Sequence, residues 1–376
     1  MIEIPVGVIG YGMMGKAHSR GYALMNLTFE ETRFRPVLAV LCGRTKEKLH
    51  KRAAAFGFQR AETDWRAVVG RKELQVIDNC GPDPVHVEPT LAALAAGKHL
   101  VCEKPLALTA EGARRLRDVA LKAKVHHLCG FNYRFLPGMM LMKQLLQAQV
   151  LGPLHQLRAA FLEDPITNPD VFGRHQAGDQ NAGATSDLGC HVVDLVRWLV
   201  GEPVRVSARA RDMVRGPRAL DDLFVATMEL ENGAIGTLEA SKFATGRRSY
   251  LTLEIYGERG GIAFDLSDLN YVFLHLEGEQ SGPVATPGWR RIDATNPQHP
   301  YASFAWGTGH GIGWADSFTC QLYEFLAAVA GEKGLFPWYA TFEDGYRAAV
   351  ITEALAQSAA TGESVAISYN PPAPST

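Results

Sequence analysis

Long apolar runs are missing from this sequence. None reaches the roughly 18 consecutive residues that a membrane-spanning helix needs, so no such helix is expected. An excess of charge of either sign is missing too: 38 Lys and Arg stand against 40 Asp and Glu, a formal charge of −2. That removes the bulk electrostatic case for nucleic acid or an anionic membrane as partner. Cysteine is scarce and unpatterned. The six residues Cys42, Cys80, Cys102, Cys129, Cys190 and Cys320 show no C-x-x-C spacing, so neither a disulfide framework nor a metal site is expected. Four of them close short apolar runs and read as buried packing thiols of a reduced protein. The start, Met1-Ile2-Glu3-Ile4-Pro5-Val6, has neither the basic residues nor the small-residue cleavage site of a secretory leader. A cytoplasmic protein is expected.

What is present is a chain of 376 residues with 47% hydrophobic and 21% charged residues. Both fractions are ordinary for a globular protein, and the length favours two domains over one. Up to about residue 130 the pattern alternates. Short apolar runs at Val6–Ile9, Val37–Leu41, Val76–Ile77, Leu100–Cys102 and Leu128–Cys129 read as buried strands. Helix-length stretches separate them: Lys16–Met25, Lys46–Phe56, Val85–Ala96 and Thr109–Ala123. Alternating strands and helices predict βαβ units on a parallel sheet, with ligands at the C-terminal edge of the strands.

After Phe131 the pattern changes. Seven strands are expected without intervening helices for most of their course: Leu154–Phe161, Val204–Ala210, Leu223–Leu230, Ala234–Phe243, Tyr250–Tyr256, Gly260–Asp265 and Leu269–Leu276. Turn signals such as Glu231-Asn232-Gly233 separate them. Helices are expected at His191–Val200, Ser317–Ala330 and Asp344–Thr361, packed on one side of this sheet. The expected fold is therefore an α/β dinucleotide-binding domain over residues 1–131. An α+β domain with a large open, mostly antiparallel sheet follows over residues 132–376. A proline-bearing tail from Asn370 is expected to fray.

Gly10, Gly12 and Gly15 form G-x-G-x-x-G between a strand and a helix. In that context Gly10 makes the tight turn, Gly12 admits a pyrophosphate, and Gly15 packs helix on strand. The helix N-terminus offers N–H groups and positive dipole to the anion, and Met13 and Met14 are expected cofactor contacts. The next strand ends Cys42-Gly43-Arg44-Thr45 with no carboxylate for a ribose 2′-hydroxyl. Gly43 leaves room, Arg44 can pair a 2′-phosphate and Thr45 can add a hydroxyl, so NAD(P) is expected with a lean to NADP. Cys80, Gly81, Pro82, His86, Glu103 and Lys104 complete the expected cofactor contacts. Lys104 ends a strand, and Pro105 after it is a candidate cis proline. Asp187, His191 and Asp194 are spaced four and three apart, as on one helical stripe. Asp187 then lies near the helix start, and Gly189 leaves space for a substrate. The competing reading is a capped helix with a core histidine.

Together the glycine motif, Glu103-Lys104-Pro105, the D-x-G-x-H-x-x-D run from Asp187 to Asp194, and Asn132-Tyr133-Arg134-Phe135 resemble the glucose–fructose oxidoreductase/inositol dehydrogenase (Gfo/Idh/MocA) family. The likeness spans nearly the whole chain. His310-Gly311-Ile312-Gly313-Trp314 looks most like the levoglucosan and L-glucose/scyllo-inositol dehydrogenases of that family. The resemblance implies a Rossmann domain, an α+β domain, and NAD(P)-linked oxidation of one secondary alcohol of a sugar, inositol or related polyol. It also implies Lys104, Asp187 and His191 as the catalytic set. A histidine can take the hydroxyl proton, a lysine can stabilise the oxygen, and Asp187 can orient either the substrate or His191. Tyr133, Arg134, Glu163 and His310 are the expected substrate contacts. Trp289 and Trp306 read as packing residues. A homodimer or homotetramer paired through the open sheet is expected. Two other functions share these residues: a non-catalytic dinucleotide- or sugar-binding regulator, and a transient-oxidation enzyme with tightly held cofactor.

Overall fold

The computed structural model describes residues 1–164, 183–213, 221–278 and 286–370. The proline-bearing tail beyond Asn370 lies outside them. The chain forms two compact units.

The first unit begins with β1 (Ile2–Ile9), α1 (Met13–Thr28), β2 (Phe34–Cys42), α2 (Lys46–Phe56), β3 (Arg60–Glu62) and α3 (Trp65–Val69). It continues with β4 (Val76–Asn79), α4 (Val87–Ala95), β5 (His99–Cys102), α5 (Ala110–Ala123) and β6 (His127–Cys129). The six strands lie in the order β3-β2-β1-β4-β5-β6, and every pairing is parallel. The predicted Rossmann-like sheet is therefore present, with one more strand than the alternation showed. The order reverses between β1 and β4, the place where such sheets open a ligand crevice at their C-terminal edge.

A single boundary near residue 131 is what the alternation predicts. The first unit instead extends to Phe135 and takes in Trp314–Ala349 and Asn370. The physical reason lies in two packed joints. Arg117 on α5 is wholly buried; its guanidinium lies 4.2 Å from the Tyr346 ring centre and bonds to Glu343 and to the Asn370 carbonyl. A buried guanidinium is tolerable only when paired in this way. The second joint is α1 against the later helix Asp316–Val329. A methyl group at Gly21 would approach Leu322 to 3.0 Å, so helix backbones meet closely there.

The second unit holds α6 (Pro137–Gln147), β7 (Leu154–Leu162), α7 (Ala184–Asp187), α8 (Gly189–Leu199), β8 (Pro203–Arg211), β9 (Leu223–Leu230) and β10 (Ile235–Ser241). Then come β11 (Tyr250–Gly257), β12 (Gly260–Asp265), β13 (Tyr271–Leu276), β14 (Arg290–Asp293) and α9 (Ala302–Ala305). The chain passes through α10 (Asp316–Val329) of the first unit and along α11 (Phe342–Thr361), then ends the sheet with β15 (Val365–Ala366). The nine strands run β14-β13-β12-β11-β7-β10-β9-β8-β15. All pairings are antiparallel except β7 with β10. In β9 and β10 buried and exposed residues alternate strictly, as in a sheet with one covered and one open face. Phe224, Met228, Leu238 and Ala240 are buried, whereas Val225 and Ile235 are about half exposed. No helix of the described residues is long and apolar enough to cross a membrane.

Candidate functional site

In the first unit, β1 ends at Ile9 and α1 begins at Met13, so the glycine motif forms the whole turn between them. Gly10 has φ +102°, a left-handed backbone that side chains disfavour. A methyl group there would also strike the Cys80 carbonyl oxygen at 2.4 Å. One at Gly15 would strike the Gly10 carbonyl at 2.1 Å, whereas at Gly12 it would meet nothing within 4 Å. The motif is thus tight on its protein side and open where a ligand approaches. The opening is a cleft of ≈ 520 Å³ lined by Gly10, Gly12, Met13, Met14, Gly43, Arg44, Cys80, Gly81 and Pro82 among others. No side chain caps α1 at Gly12. The first-turn N–H groups and the positive helix end therefore form an anion site at the β1/β4 reversal. An open Gly12 beside an uncapped helix start fits the pyrophosphate of a dinucleotide.

Five expected cofactor contacts do not line this cleft. Gly15 packs on Gly10, as its motif role requires. Thr45 is the N-cap of α2. His86 is wholly buried, with Nδ1 2.7 Å from the Pro105 carbonyl oxygen and Nε2 3.0 Å from that of Gly81. It braces the two loops rather than presenting its ring. Lys104 follows β5, is half-buried, and precedes a cis peptide bond to Pro105, as anticipated. Glu103 is buried, and its carboxylate turns inward, away from the cofactor role expected for it.

Glu103 belongs to a buried network behind the glycine turn. His18 on α1 places Nδ1 2.8 Å from Oδ2 of Asp78 and Nε2 2.8 Å from Oε1 of Glu103. Tyr22 donates to the same Asp78 oxygen at 3.0 Å, and the Cys80 thiol donates to the other at 3.2 Å. The second Glu103 oxygen accepts the Lys104 backbone N–H at 3.2 Å. Burial alone pushes His18 toward neutrality, but Asp78 and the Cys80 thiol outweigh it and hold the ring well above the usual histidine value. An imidazolium between two carboxylates thereby ties α1, β4 and the end of β5 together.

The room at Gly43 is also spoken for. A methyl group there would sit 2.1 Å from the Tyr11 ring, so that ring, not a phosphate, occupies the missing side chain's place. Cleft residues not foreseen from sequence are Ile9, Tyr11, Cys42, Thr63, Trp65 and Val85. Thr63 follows β3 and Trp65 opens α3, elements three and five residues long, too short to show periodicity. All six cysteines are free and buried, as read.

In the second unit the stripe Asp187–His191–Asp194 is broken. The chain forms one helical turn at α7, passes Leu188, and starts α8 at Gly189. Asp187 thus ends α7 instead of opening the helix that carries His191. The turn is pinned at its start by Asp221, whose carboxylate accepts the N–H and hydroxyl of Thr185 at 2.8 and 2.6 Å. At its end, Lys242 Nζ lies 2.8 Å from Asp187 Oδ2, with the lysine buried and the aspartate one-third exposed. Lys242 has no sequence signature: it stands one residue past β10. His191, in the first turn of α8, is 7% exposed and lies against the Phe161 ring at 5.8 Å between centres. Gly189 does not leave space for a substrate. A methyl group there would meet the Phe224 ring at 2.8 Å, so this glycine serves close helix-on-sheet packing. Asp194 is buried.

Of the expected substrate contacts, Glu163 directly follows β7 and is half-buried, accepting the Ser249 hydroxyl at 3.1 Å. His310 is exposed, with Nδ1 2.9 Å from the Gly307 carbonyl oxygen. Tyr133 and Arg134 are buried. Arg134 has its guanidinium 3.0 Å from Asp344, a partner that offsets the cost of burying it. It is a structural ion pair of the first unit.

Residues 4–131 match the family model described as "Oxidoreductase family, NAD-binding Rossmann fold", and residues 139–263 match the GFO/IDH/MocA C-terminal domain. The levoglucosan dehydrogenase of Pseudarthrobacter phenanthrenivorans is 32% identical, over 96% of this chain and 97% of its own. The inositol 2-dehydrogenase of Paracoccus denitrificans is 31% identical, over 97% of each chain. A solved levoglucosan dehydrogenase in complex with NADH and levoglucosan superposes with a TM-score of 0.90 at 33% identity, covering 97% of this chain and 99% of its own.

Proposed function

The chain belongs to the Gfo/Idh/MocA family of NAD-binding oxidoreductases, and we propose that it is a dehydrogenase of a cyclic sugar, inositol or related polyol. The observation that carries this reading is the open glycine turn at the β1/β4 reversal, in a chain whose full-length relatives are named sugar and inositol dehydrogenases.

In this proposal Gly10, Gly12 and the start of α1 hold the pyrophosphate, and Gly81 and Pro82 wall the cleft. A bound nicotinamide supplies the two-electron acceptor for the alcohol carbon. The chain's own residues manage the proton and the charge. His191 removes the hydroxyl proton, Lys104 donates a hydrogen bond to the oxygen as negative charge develops, and Asp187 orients the substrate. Glu163, at a strand end, is proposed as an acceptor for further sugar hydroxyls, since one carboxylate can accept two.

Arg44 is proposed to favour NADP. It lines the cleft, and β2 ends without a carboxylate for a 2′-hydroxyl. We also propose a homo-oligomer paired through the open face of the second sheet, where half-exposed Val225 lines a hollow of ≈ 840 Å³ and Ile235 is another exposed apolar residue of the open face. Light scattering on an Ile235→Arg variant tests the pairing: the proposal expects a smaller assembly than wild type. The function itself is tested by oxidation of a sugar and polyol panel with NAD and NADP. Turnover of at least one cyclic polyol supports it, and binding of cofactor without turnover of any would overturn it.

A further inference from the structure

We propose that Lys242 is a positioning residue of this site: its buried ammonium holds the Asp187 carboxylate ionised and aimed, and through Asp187 it sets the pH at which His191 accepts a proton. The inference rests on the proposed roles of Asp187 and His191 and adds a residue to them.

The placement follows from the hairpin. β9 starts and β10 ends at the same edge, with Leu223 opposite Ser241. The ladder runs one pair further, because Lys242 N–H donates to the Asp222 carbonyl at 2.9 Å. In β10, Gly236, Leu238 and Ala240 are the buried set, and period-two alternation sends Lys242 to that same covered face. The ammonium there is 2.8 Å from Asp187 Oδ2 while the lysine side chain is only 5% exposed. A lysine so deeply buried needs a fixed anionic partner. Asp187 is fixed in turn, since its one-turn helix is anchored on Asp221 at the head of the same hairpin.

The charged groups around this pair are mostly acidic. Asp221 and Asp222 come from the head of β9, and Asp222 accepts the Met213 N–H at 2.8 Å. Glu163 and Asp164 follow β7, next to β10; Glu163 N–H donates to the Ser241 carbonyl and Asp164 accepts the Gly246 N–H. Asp187, His191 and Asp194 come from α7 and α8. Without Lys242, Asp187 would lose the cation 2.8 Å from its carboxylate, and the negative charge carried four residues before His191 would be less offset. Negative charge favours the imidazolium. Removing Lys242 therefore raises the pH at which His191 becomes a base, whereas removing the charge of Asp187 lowers it.

The test is an NMR titration of His191 in the full-length protein, assigned with His191→Asn, in wild type and in Lys242→Met, Lys242→Gln, Lys242→Arg and Asp187→Asn. The expected result is an upward shift of about half a pH unit or more in the Met and Gln variants, a near-wild-type midpoint in Lys242→Arg, and a downward shift in Asp187→Asn. In steady-state oxidation the acid limb of kcat/KM should move by the same amount. An unchanged His191 midpoint in a folded Met or Gln variant overturns the proposal, as does an Arg variant that behaves like Met. If Lys242 variants fail to fold, the sign of the Asp187→Asn shift decides. The titration needs no turnover, so inactivity of the wild type on polyols would defeat the dehydrogenase reading without deciding this one.

Discussion

Nε2 of His18 stands 2.8 Å from Oε1 of Glu103, with both residues buried and the opposite ring nitrogen engaged by Asp78. This pair connects the helix that opens the anion site to the strand end that carries Lys104. Because Glu103 also accepts the Lys104 N–H, the backbone of the proposed catalytic lysine hangs from a buried imidazolium.

Replacing His18 with Gln should therefore be costly. Two buried carboxylates would lose their cation, a change worth about 3–5 kcal/mol. The sign of the pH dependence follows from the raised His18 value. Its stabilisation is fully present below the unfolded histidine pKa of about 6.5 and is lost as pH rises through the folded value. Urea unfolding of wild type and His18→Gln should show a large gap in stability at pH 6 that narrows in alkaline solution. A constant gap would count against an ionic role.

His127 works in the opposite sense. Burial, and to a lesser extent His126, depress it to about 4, and its Nδ1 accepts the Phe342 N–H at 3.0 Å. A depressed histidine contributes stability that is present above the unfolded pKa and lost as pH falls through the folded value. Wild type should lose about 3 kcal/mol from this group between pH 6.5 and 4. Thermal melts of His127→Asn should show a flatter decline over that window; an equally steep decline would assign the acid sensitivity elsewhere.

The cofactor end offers a selective test. Arg44→Ala should reduce kcat/KM for NADP by roughly 10- to 150-fold, the worth of a charge-assisted hydrogen bond, and leave NAD nearly unaffected. Equal losses with both cofactors would show that Arg44 does not read a 2′-phosphate. Gly43→Ala should weaken both cofactors alike, because its methyl group, 2.1 Å from the Tyr11 ring, must displace a cleft wall.

Much of this architecture was legible. The strand–helix alternation, the glycine turn and the Glu231-Asn232-Gly233 hairpin are local patterns, and local patterns survive folding. What escaped is long-range or against pattern. β3 and α3 are too short to carry a period. Asp78 is an acid inside a fully buried strand, held by partners that include His18, sixty residues away, and Tyr22. The ion pair of Arg134 with Asp344 spans 210 residues, so no local pattern announces it. Gly189 looked like space, but space beside a helix is filled by whatever the sheet presents, here Phe224. Lys242 follows an ordinary strand, and nothing local ties it to Asp187.

Within the proposed chemistry, Lys104→Ala and His191→Ala should each lower kcat by roughly 10²–10⁴-fold, the usual worth of a positioned acid–base group. Cofactor affinity, measured by fluorescence titration of the reduced dinucleotide, should change little, because neither side chain lines the glycine cleft. Retained turnover in both variants would remove them from the mechanism.

The most direct measurement is the rate of reduced-nicotinamide formation by the wild-type protein on a panel of inositols, anhydrosugars, hexoses and glucosides, run with NAD and NADP in parallel. The account predicts stoichiometric reduction of cofactor by at least one cyclic polyol, abolished in His191→Ala. Tight dinucleotide binding with no reduction on any member of the panel would contradict it.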